Sequence, residues 1–262
     1  MVLIFQNKDK RAMTKDKRQK NKMEIQLFIP CYIDQLYPET GFNVIKILEK
    51  AGCTVHYNPD QTCCGQPAFN SGYWKETAAL AEKFLNDFPS GMPVVSPSGS
   101  CSGFIIHHYH KVLAGRNDLI QKLNLLKPGI FELTDFLVNK LKVEDVGASF
   151  PHKVTFHDSC SALREYGIKD EPRKLLANVK GLELIEMNES DTCCGFGGTF
   201  SVKNSAISVA MAMNKVRNAV ATGAEYIVST EASCLMNING YCAKNNLPVK
   251  GIHLADILAS GY

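Results

Sequence analysis

Short apolar runs alternating with amphipathic stretches set the order of elements along this 262-residue chain. Ile25, Leu27, Phe28 and Ile29 make a buried strand over residues 25–29, and Pro30-Cys31 ends it with a thiol at the strand's carboxyl end. Val44, Ile47, Leu48 and Ala51 share one face of a helix over residues 40–51, which Gly52 stops. Residues 54–57 predict a second strand, and Asn58-Pro59-Asp60 turns the chain towards Cys63-Cys64-Gly65. Trp74, Ala78, Ala81 and Leu85, spaced 4, 3, 4, predict a helix over 73–86 with Trp74 in the core. Residues 93–97 read as a third strand, and Ser98-Gly-Ser-Cys101 opens a helix carrying His107, His108 and His110. Residues 111–130 read as helix and loop, and residues 140–151 as a linker between two halves of the chain.

The same order then repeats. A strand over 154–157 leads to Asp158-Ser159-Cys160, another over 182–185 precedes Cys193-Cys194-Gly195, and a third over 226–229 leads to Cys234 at a helix start. Val202, Ala206, Val209, Met213, Val216 and Val220, spaced 4, 3, 4, 3, 4, predict the clearest helix of the chain, with the stripe as its packing face. Leu133, Asp135 and Leu137 align with Leu254, Asp256 and Leu258, and the two aspartates suit helix starts or turns. Strand–helix alternation in two copies predicts an α/β fold of two tandem, pseudo-symmetric domains with mainly parallel sheets flanked by helices. The predicted divisions are a disordered leader over 1–22 and domains over 23–145 and 146–262.

Eight of the ten cysteines share that duplication. Thirty-one residues separate Cys31 from the Cys63-Cys64 pair and 36 separate the pair from Cys101; the second copy has 32 between Cys160 and Cys193-Cys194, then 39 before Cys234. Four thiols per copy, carried on three loops at strand ends, suit a soft metal centre. Structural zinc is usually held by Cys-x2-4-Cys pairs, whereas adjacent cysteines can each reach a different iron of a cluster, so iron–sulfur binding leads zinc. Gly65, Gly195, Gly197 and Gly198 allow close backbone approach. Two readings of another class remain open: a zinc-binding scaffold, and a thiol–disulfide enzyme that uses the vicinal pairs.

Other candidates carry less chemistry. Cys53 lies outside the repeat and reads as a small buried hydrophobe. The histidines at 107, 108 and 110 lack the i, i+4 spacing of a zinc helix. Phe200 stands where a dinucleotide loop starting at Gly195 needs its third glycine. His157, close to Cys160, is read as orienting the loop rather than as a general base, and no catalytic residue is assigned.

Composition narrows the setting. The formal charge of +3 comes from residues 1–23, which carry eight Lys and Arg against two Asp, so the rest sums to −3 and does not read as a nucleic-acid surface. The basic stretch has no apolar region or cleavage-like site after it, and Met23 is a candidate natural start. No apolar run approaches the roughly 20 residues of a membrane span. The full hydrophobic complement of 45% favours reduced thiols over a disulfide framework, hence a cytoplasmic protein.

With Cys31, Cys63-Cys64-Gly65, Cys101 and Cys160, Cys193-Cys194-Gly195, Cys234 in place, the chain resembles the CCG cysteine-rich domain family over residues 24–262. That family includes the B subunit of heterodisulfide reductase and the iron–sulfur subunit of glycolate oxidase. Short two-domain chains without a ferredoxin-type module are most similar to its lactate-utilisation branch. The resemblance implies two iron–sulfur clusters of the [4Fe–4S] kind held by Cys31, Cys63, Cys64 and Cys101 and by Cys160, Cys193, Cys194 and Cys234. It also implies an electron-transfer role in an oxidoreductase complex that oxidises L-lactate or a related 2-hydroxy acid to pyruvate, with companion subunits of the lactate utilisation B and C type. The chain departs from the fuller family motif at its Cys-x-x-Cys end, where Ser98 and Glu231 replace the first cysteine. This departure puts the noncubane clusters of the heterodisulfide reductase subunit, and direct disulfide chemistry, in doubt.

Overall fold

The computed structural model describes residues 22–262, so the predicted leader lies, but for Lys22, outside the described residues. Strands β1 (Met23–Leu27), β2 (Cys53–Tyr57), β3 (Val94–Ser96) and β4 (Ile130–Glu132) form one sheet in the order β2-β1-β3-β4. Strands β5 (Lys153–Phe156), β6 (Glu183–Leu184), β7 (Tyr226–Ser229) and β8 (Lys250–His253) form a second in the order β6-β5-β7-β8. Every pairing in both sheets is parallel. The duplicated α/β architecture expected from the sequence is therefore present. The fourth strand of each sheet, β4 and β8, is the one that the sequence reading does not mark.

This strand order places the functional loops. In each sheet the chain goes from the first strand outward, then returns to the first strand's other side, which opens a crevice at the strands' carboxyl ends. Cys31 follows β1, Cys63-Cys64 follow β2, and Cys101 follows β3, so all three loops leave from that end. Parallel strands covered on both faces are apolar throughout, and Ile25, Leu27, Val95, Val154 and Val228 are fully buried.

The halves are joined by a shared core. Ile25, Val44, Ile47 and Leu48 pack in one cluster with Val154, Phe156, Leu175 and Leu258. Residues 140–151, read as a linker, contribute Val146 and Ala148 to this core rather than bridging free space. The contacts obey a pseudo-twofold relation: the Pro38–Lys50 helix packs on Leu254–Leu258, and the Asp170–Ala177 helix packs on Leu133–Asp135. Asp256 accepts hydrogen bonds from Thr40 Oγ1 and Asn43 Nδ2 at 2.9 and 3.0 Å, and Asp135 accepts one from the Tyr166 hydroxyl at 2.6 Å. Both aspartates stand in the first turn of their helices, as expected, and tie one half to the other, while Glu132 and His253 supply the caps.

Two expectations about helix faces fail. Trp74 is 54% exposed and stacks on Phe69 at the first position of the Trp74–Asp87 helix; Thr77, Ala81, Phe84 and Leu85 make the buried face. In the Ser205–Val220 helix the valine and methionine stripe faces outward, with Val209 and Met213 at 53% and 44% exposure, and Val202 before it at 81%. Only Val216 of the stripe is buried; the packed side is Ser208, Ala212, Lys215, Val216 and Ala219. Small residues let this helix sit close to the Cys193-Cys194-Gly195 loop, which a branched stripe would hold away.

Candidate metal centre

All eight repeated cysteines line one cleft between the two halves, a space of about 870 Å³ counted out to open solvent. In the first half Cys31 Sγ lies 3.6 Å from Cys63 Sγ, and Cys64 Sγ lies 3.4 Å from Cys101 Sγ. The second half repeats these pairings, Cys160 with Cys193 and Cys194 with Cys234. In each set the second vicinal cysteine and the last cysteine are buried, while the other two are half-buried at the cleft. Cys53 and Cys242 are buried elsewhere in the core, Cys53 as a small hydrophobe.

Backbone geometry explains the Cys-Cys-Gly pattern. Gly65 and Gly195 have φ of +91° and +88°, a left-handed conformation that turns each glycine N–H back onto the first vicinal sulfur. Those bonds are 3.3 Å to Cys63 Sγ and 3.4 Å to Cys193 Sγ. At Gly195 a Cβ would also stand 2.6 Å from the Ser208 carbonyl oxygen. The carbonyl of the second vicinal cysteine is held in both halves by different donors, the Tyr109 hydroxyl on Cys64 and Asn237 Nδ2 on Cys194, each at 2.8 Å.

Crowding controls ionisation of the thiols. Hydrogen bonds from the Cys31 and Cys64 thiols, helped by Gly65 N–H and opposed by burial, hold Cys63 well below the usual thiol range, at about 3. The same contact with Cys63, followed by burial, pushes Cys31 up, and contacts with Cys101 and Cys63 with burial do so for Cys64. The bond to Cys193, followed by burial, raises Cys160. Cys63 therefore ionises more readily than Cys31 or Cys64, and a cation among these sulfurs would favour the thiolates of all three.

The two positions that depart from the longer motif meet across the pseudo-twofold axis. Glu231, buried, accepts from Ser98 Oγ at 2.9 Å, Ser100 N at 2.7 Å and Ser100 Oγ at 2.8 Å. Burial raises its carboxyl above the ordinary range, and the serine donors oppose this. Gly99 makes the approach feasible, since a Cβ there would stand 2.7 Å from Ala162 Cβ. Sequence reasoning marks Ser98 and Glu231 as missing cysteines but has no signal that they bond each other.

His157 is the other residue whose place the sequence does not reveal. It is fully buried, and its ring, Cys194 Sγ and Cys234 Sγ offer ligand atoms all within 4.8 Å of one another. His107 and His110 are exposed, and His108 stacks on Phe104 beside Glu165, so the three rings of that triplet have separate surroundings. Among the described residues, His157 is the histidine grouped with cysteines in metal-binding geometry. Eight convergent thiols with one buried imidazole are compatible with metal clusters by their donor chemistry.

Comparison with known proteins agrees with this duplicated site. The cysteine-rich domain model named CCG matches residues 25–106 and 154–239, one stretch in each half. Lactate utilization protein A 1 of Bacillus mycoides is 44% identical over 90% of this chain and 96% of its own length. Lactate utilization protein A of Bacillus licheniformis is 42% identical over 91% of this chain and 100% of its own. Among solved structures, a hypothetical protein from Helicobacter pylori shares the fold with a TM-score of 0.57 at 14% identity, covering 91% of this chain and 49% of the other, so the chain spans about half of that protein. Two matched cysteine domains and this identity along nearly whole chains make the protein a member of the CCG cysteine-rich domain family, in its lactate utilization protein A group.

Proposed function

We propose that Cys31, Cys63, Cys64 and Cys101 hold one iron–sulfur centre, and Cys160, Cys193, Cys194 and Cys234 another. On this reading the chain is a cytoplasmic electron-transfer subunit that works with companion subunits in oxidising L-lactate, or a related 2-hydroxy acid, to pyruvate. The observation that carries it is the gathering of eight thiols from two repeats on one cleft. The names of the relatives supply the substrate class.

Bound iron–sulfur centres would supply one-electron carriage. The residues of the chain set its conditions. Cys64, Cys101, Cys194 and Cys234 sit in the wall away from solvent, while Cys31, Cys63, Cys160 and Cys193 face the opening, where electrons would enter and leave. The N–H groups of Gly65 and Gly195, aimed at sulfur, stabilise negative charge there and favour the reduced state. Among the described residues no helix is long and apolar enough to cross a membrane.

Iron and sulfide analysis with EPR on anaerobically purified protein tests this. Cys64→Ser and Cys194→Ser should each remove about half of the iron and leave the chain folded, serine being a harder and less acidic ligand. Loss of all iron from either single variant would mean one shared cluster. The low-lying Cys63 thiol, 3.6 Å from Cys31, favours a thiol–disulfide role as the second reading. A colourless, metal-free protein with titratable dithiols would establish that reading, and stoichiometric zinc without iron would establish a scaffold.

A further inference from the structure

The two cysteine sets are alike, but their surroundings differ at one buried position. Phe28 follows β1 and donates its N–H to Val95 O at 2.9 Å; His157 follows β5 and donates its N–H to Val228 O at 2.8 Å. The two residues are thus structural counterparts, each completing its strand beside the cysteine loops. One half places a hydrocarbon ring there and the other an imidazole.

The imidazole is oriented by its own partners. Ser190 O lies 3.3 Å from His157 Nδ1, and the same carbonyl accepts from Lys215 Nζ at 3.0 Å and from Asp158 N at 3.0 Å. A carbonyl oxygen only accepts, so Nδ1 carries the hydrogen and the lone pair of the neutral ring lies on Nε2. That Nε2 is buried, and the neighbouring Cys194 thiol is the one group placed to meet it, so it has no strong hydrogen-bond partner of its own. One ring nitrogen lies within 4.8 Å of both the Cys194 and Cys234 sulfurs, and with Nδ1 engaged by Ser190 O, Nε2 is the nitrogen left to serve there. Donors roughly 2.0–2.3 Å from one tetrahedral metal lie about 3.5–4 Å apart, so small shifts bring these three onto a single ion. A hydrogen bond from Nδ1 to a backbone carbonyl is also the usual outer support of a metal-bound histidine.

We propose that His157 Nε2 is a metal ligand of the second centre, together with Cys194 and Cys234, so that this centre is a mixed thiolate–imidazole site while the first, with Phe28, is all-thiolate. The inference rests on the proposal that the cysteines bind metal. The second centre then keeps as many thiols as the first and has a neutral imidazole where the first has a hydrocarbon ring, so the two centres differ in ligand set at equal thiolate charge.

The test uses anaerobically purified full-length protein with histidine labelled by nitrogen-15. Pulsed EPR of the reduced wild type should show a histidine nitrogen coupled directly to one centre. The coupling should persist in Cys64→Ser, which leaves only the second centre, and vanish in Cys194→Ser. His157→Phe, which copies the first half, and His157→Gln should both abolish the coupling without unfolding the protein, as read by circular dichroism. Iron at both centres with no histidine coupling in the wild type would overturn the ligand assignment and leave the electron-transfer reading standing. A coupling that survives in His157→Gln would overturn it equally. Protein without metal under these conditions would overturn both. Zinc in the second centre, lost in His157→Phe and His157→Gln, would support His157 as ligand and overturn iron there.

Discussion

Glu132 makes the stability of this protein depend on pH in a direction opposite to that of an ordinary paired carboxylate. It is fully buried at the end of β4, and burial raises its carboxyl from 4.5 to about 8 against the opposing hydrogen bonds from Thr134 and Asp135. Oε2 accepts from Thr134 N at 2.6 Å, from Asp135 N at 3.2 Å and from the Thr134 hydroxyl. Oε1 has no partner. Between the two values the folded protein keeps a proton that the unfolded chain has released, so unfolding releases a proton and stability falls as pH rises. The contribution is complete below about pH 4.5 and is lost progressively as the pH climbs through about 8. At 1.36 kcal/mol per unit, a shift of this size corresponds to about 4–5 kcal/mol. Glu132→Gln keeps an acceptor for the two backbone N–H groups and an uncharged group at Oε1. Urea unfolding of both proteins at pH 5, 6, 7 and 8.5 isolates the effect, because every other titrating group is common to the two. At pH 5 the variant should lie within about 1 kcal/mol of the wild type. By pH 8.5 it should be the more stable by several kcal/mol. Parallel stability curves, within about 0.5 kcal/mol across the range, would refute a proton held on Glu132.

The outward stripe predicts that Val209→Ala and Met213→Ala change stability by less than about 0.5 kcal/mol, whereas Val216→Ala, at 1% exposure, costs about 1.5–2.5 kcal/mol in the same urea assay. Equal costs would restore the stripe to the core. Gly195→Ala should reduce stability by more than about 3 kcal/mol, combining left-handed strain with the Ser208 carbonyl contact; Gly65→Ala, with its nearest neighbour a methyl carbon at 3.3 Å, should cost about 1–2 kcal/mol. Ser98→Glu sets a second carboxylate against Glu231 and should cost about 3–5 kcal/mol. The reciprocal double variant Ser98→Glu/Glu231→Ser should recover at least half of that, because Ser233 is the counterpart of Ser100 and can supply the donors; no recovery would mean that the clasp depends on more than these positions.

The cysteine repeat made the duplicated fold and the composition of the site legible, because cysteine spacing reports where strands end. The strands β1, β2, β3, β5, β6 and β7 are legible as well, as short stretches with apolar or β-branched residues set between turns or the ends of helices. What one dimension does not carry is which faces meet. The stripe from Val202 to Val220 has helical period, but period fixes a face and not its partner, and the small residues Ser208, Ala212 and Ala219 outcompete it by permitting closer approach. Trp74 fails by position, standing at the first residue of its helix, where the buried face is made by Thr77, Ala81, Phe84 and Leu85 further along. His157 differs from Phe28 in a single letter, and that letter gains meaning only when the Cys194 and Cys234 sulfurs are found beside it. Nor does the repeat say that its two cysteine sets open on one cleft; that arises from how the sheets pack through their shared core.

The clasp between Ser98, Ser100 and Glu231 shows what is gained when the two halves are unequal. In a symmetric pair of identical domains the residue before the last cysteine loop would meet its own copy across the axis. Two serines there would leave hydroxyls without a strong acceptor, and two glutamates would bring like charges together in a buried place, forcing one to hold a proton. Joined in one chain, the halves can place an acceptor on one side and three donors on the other, and Glu231 is satisfied at 2.7–2.9 Å. The same freedom allows Phe28 opposite His157 and Tyr109 opposite Asn237 around sulfur sets that otherwise coincide. The duplication supplies two thiol sets in matching frames, and the asymmetry of the residues behind them gives the two sides of the cleft different electrostatic surroundings.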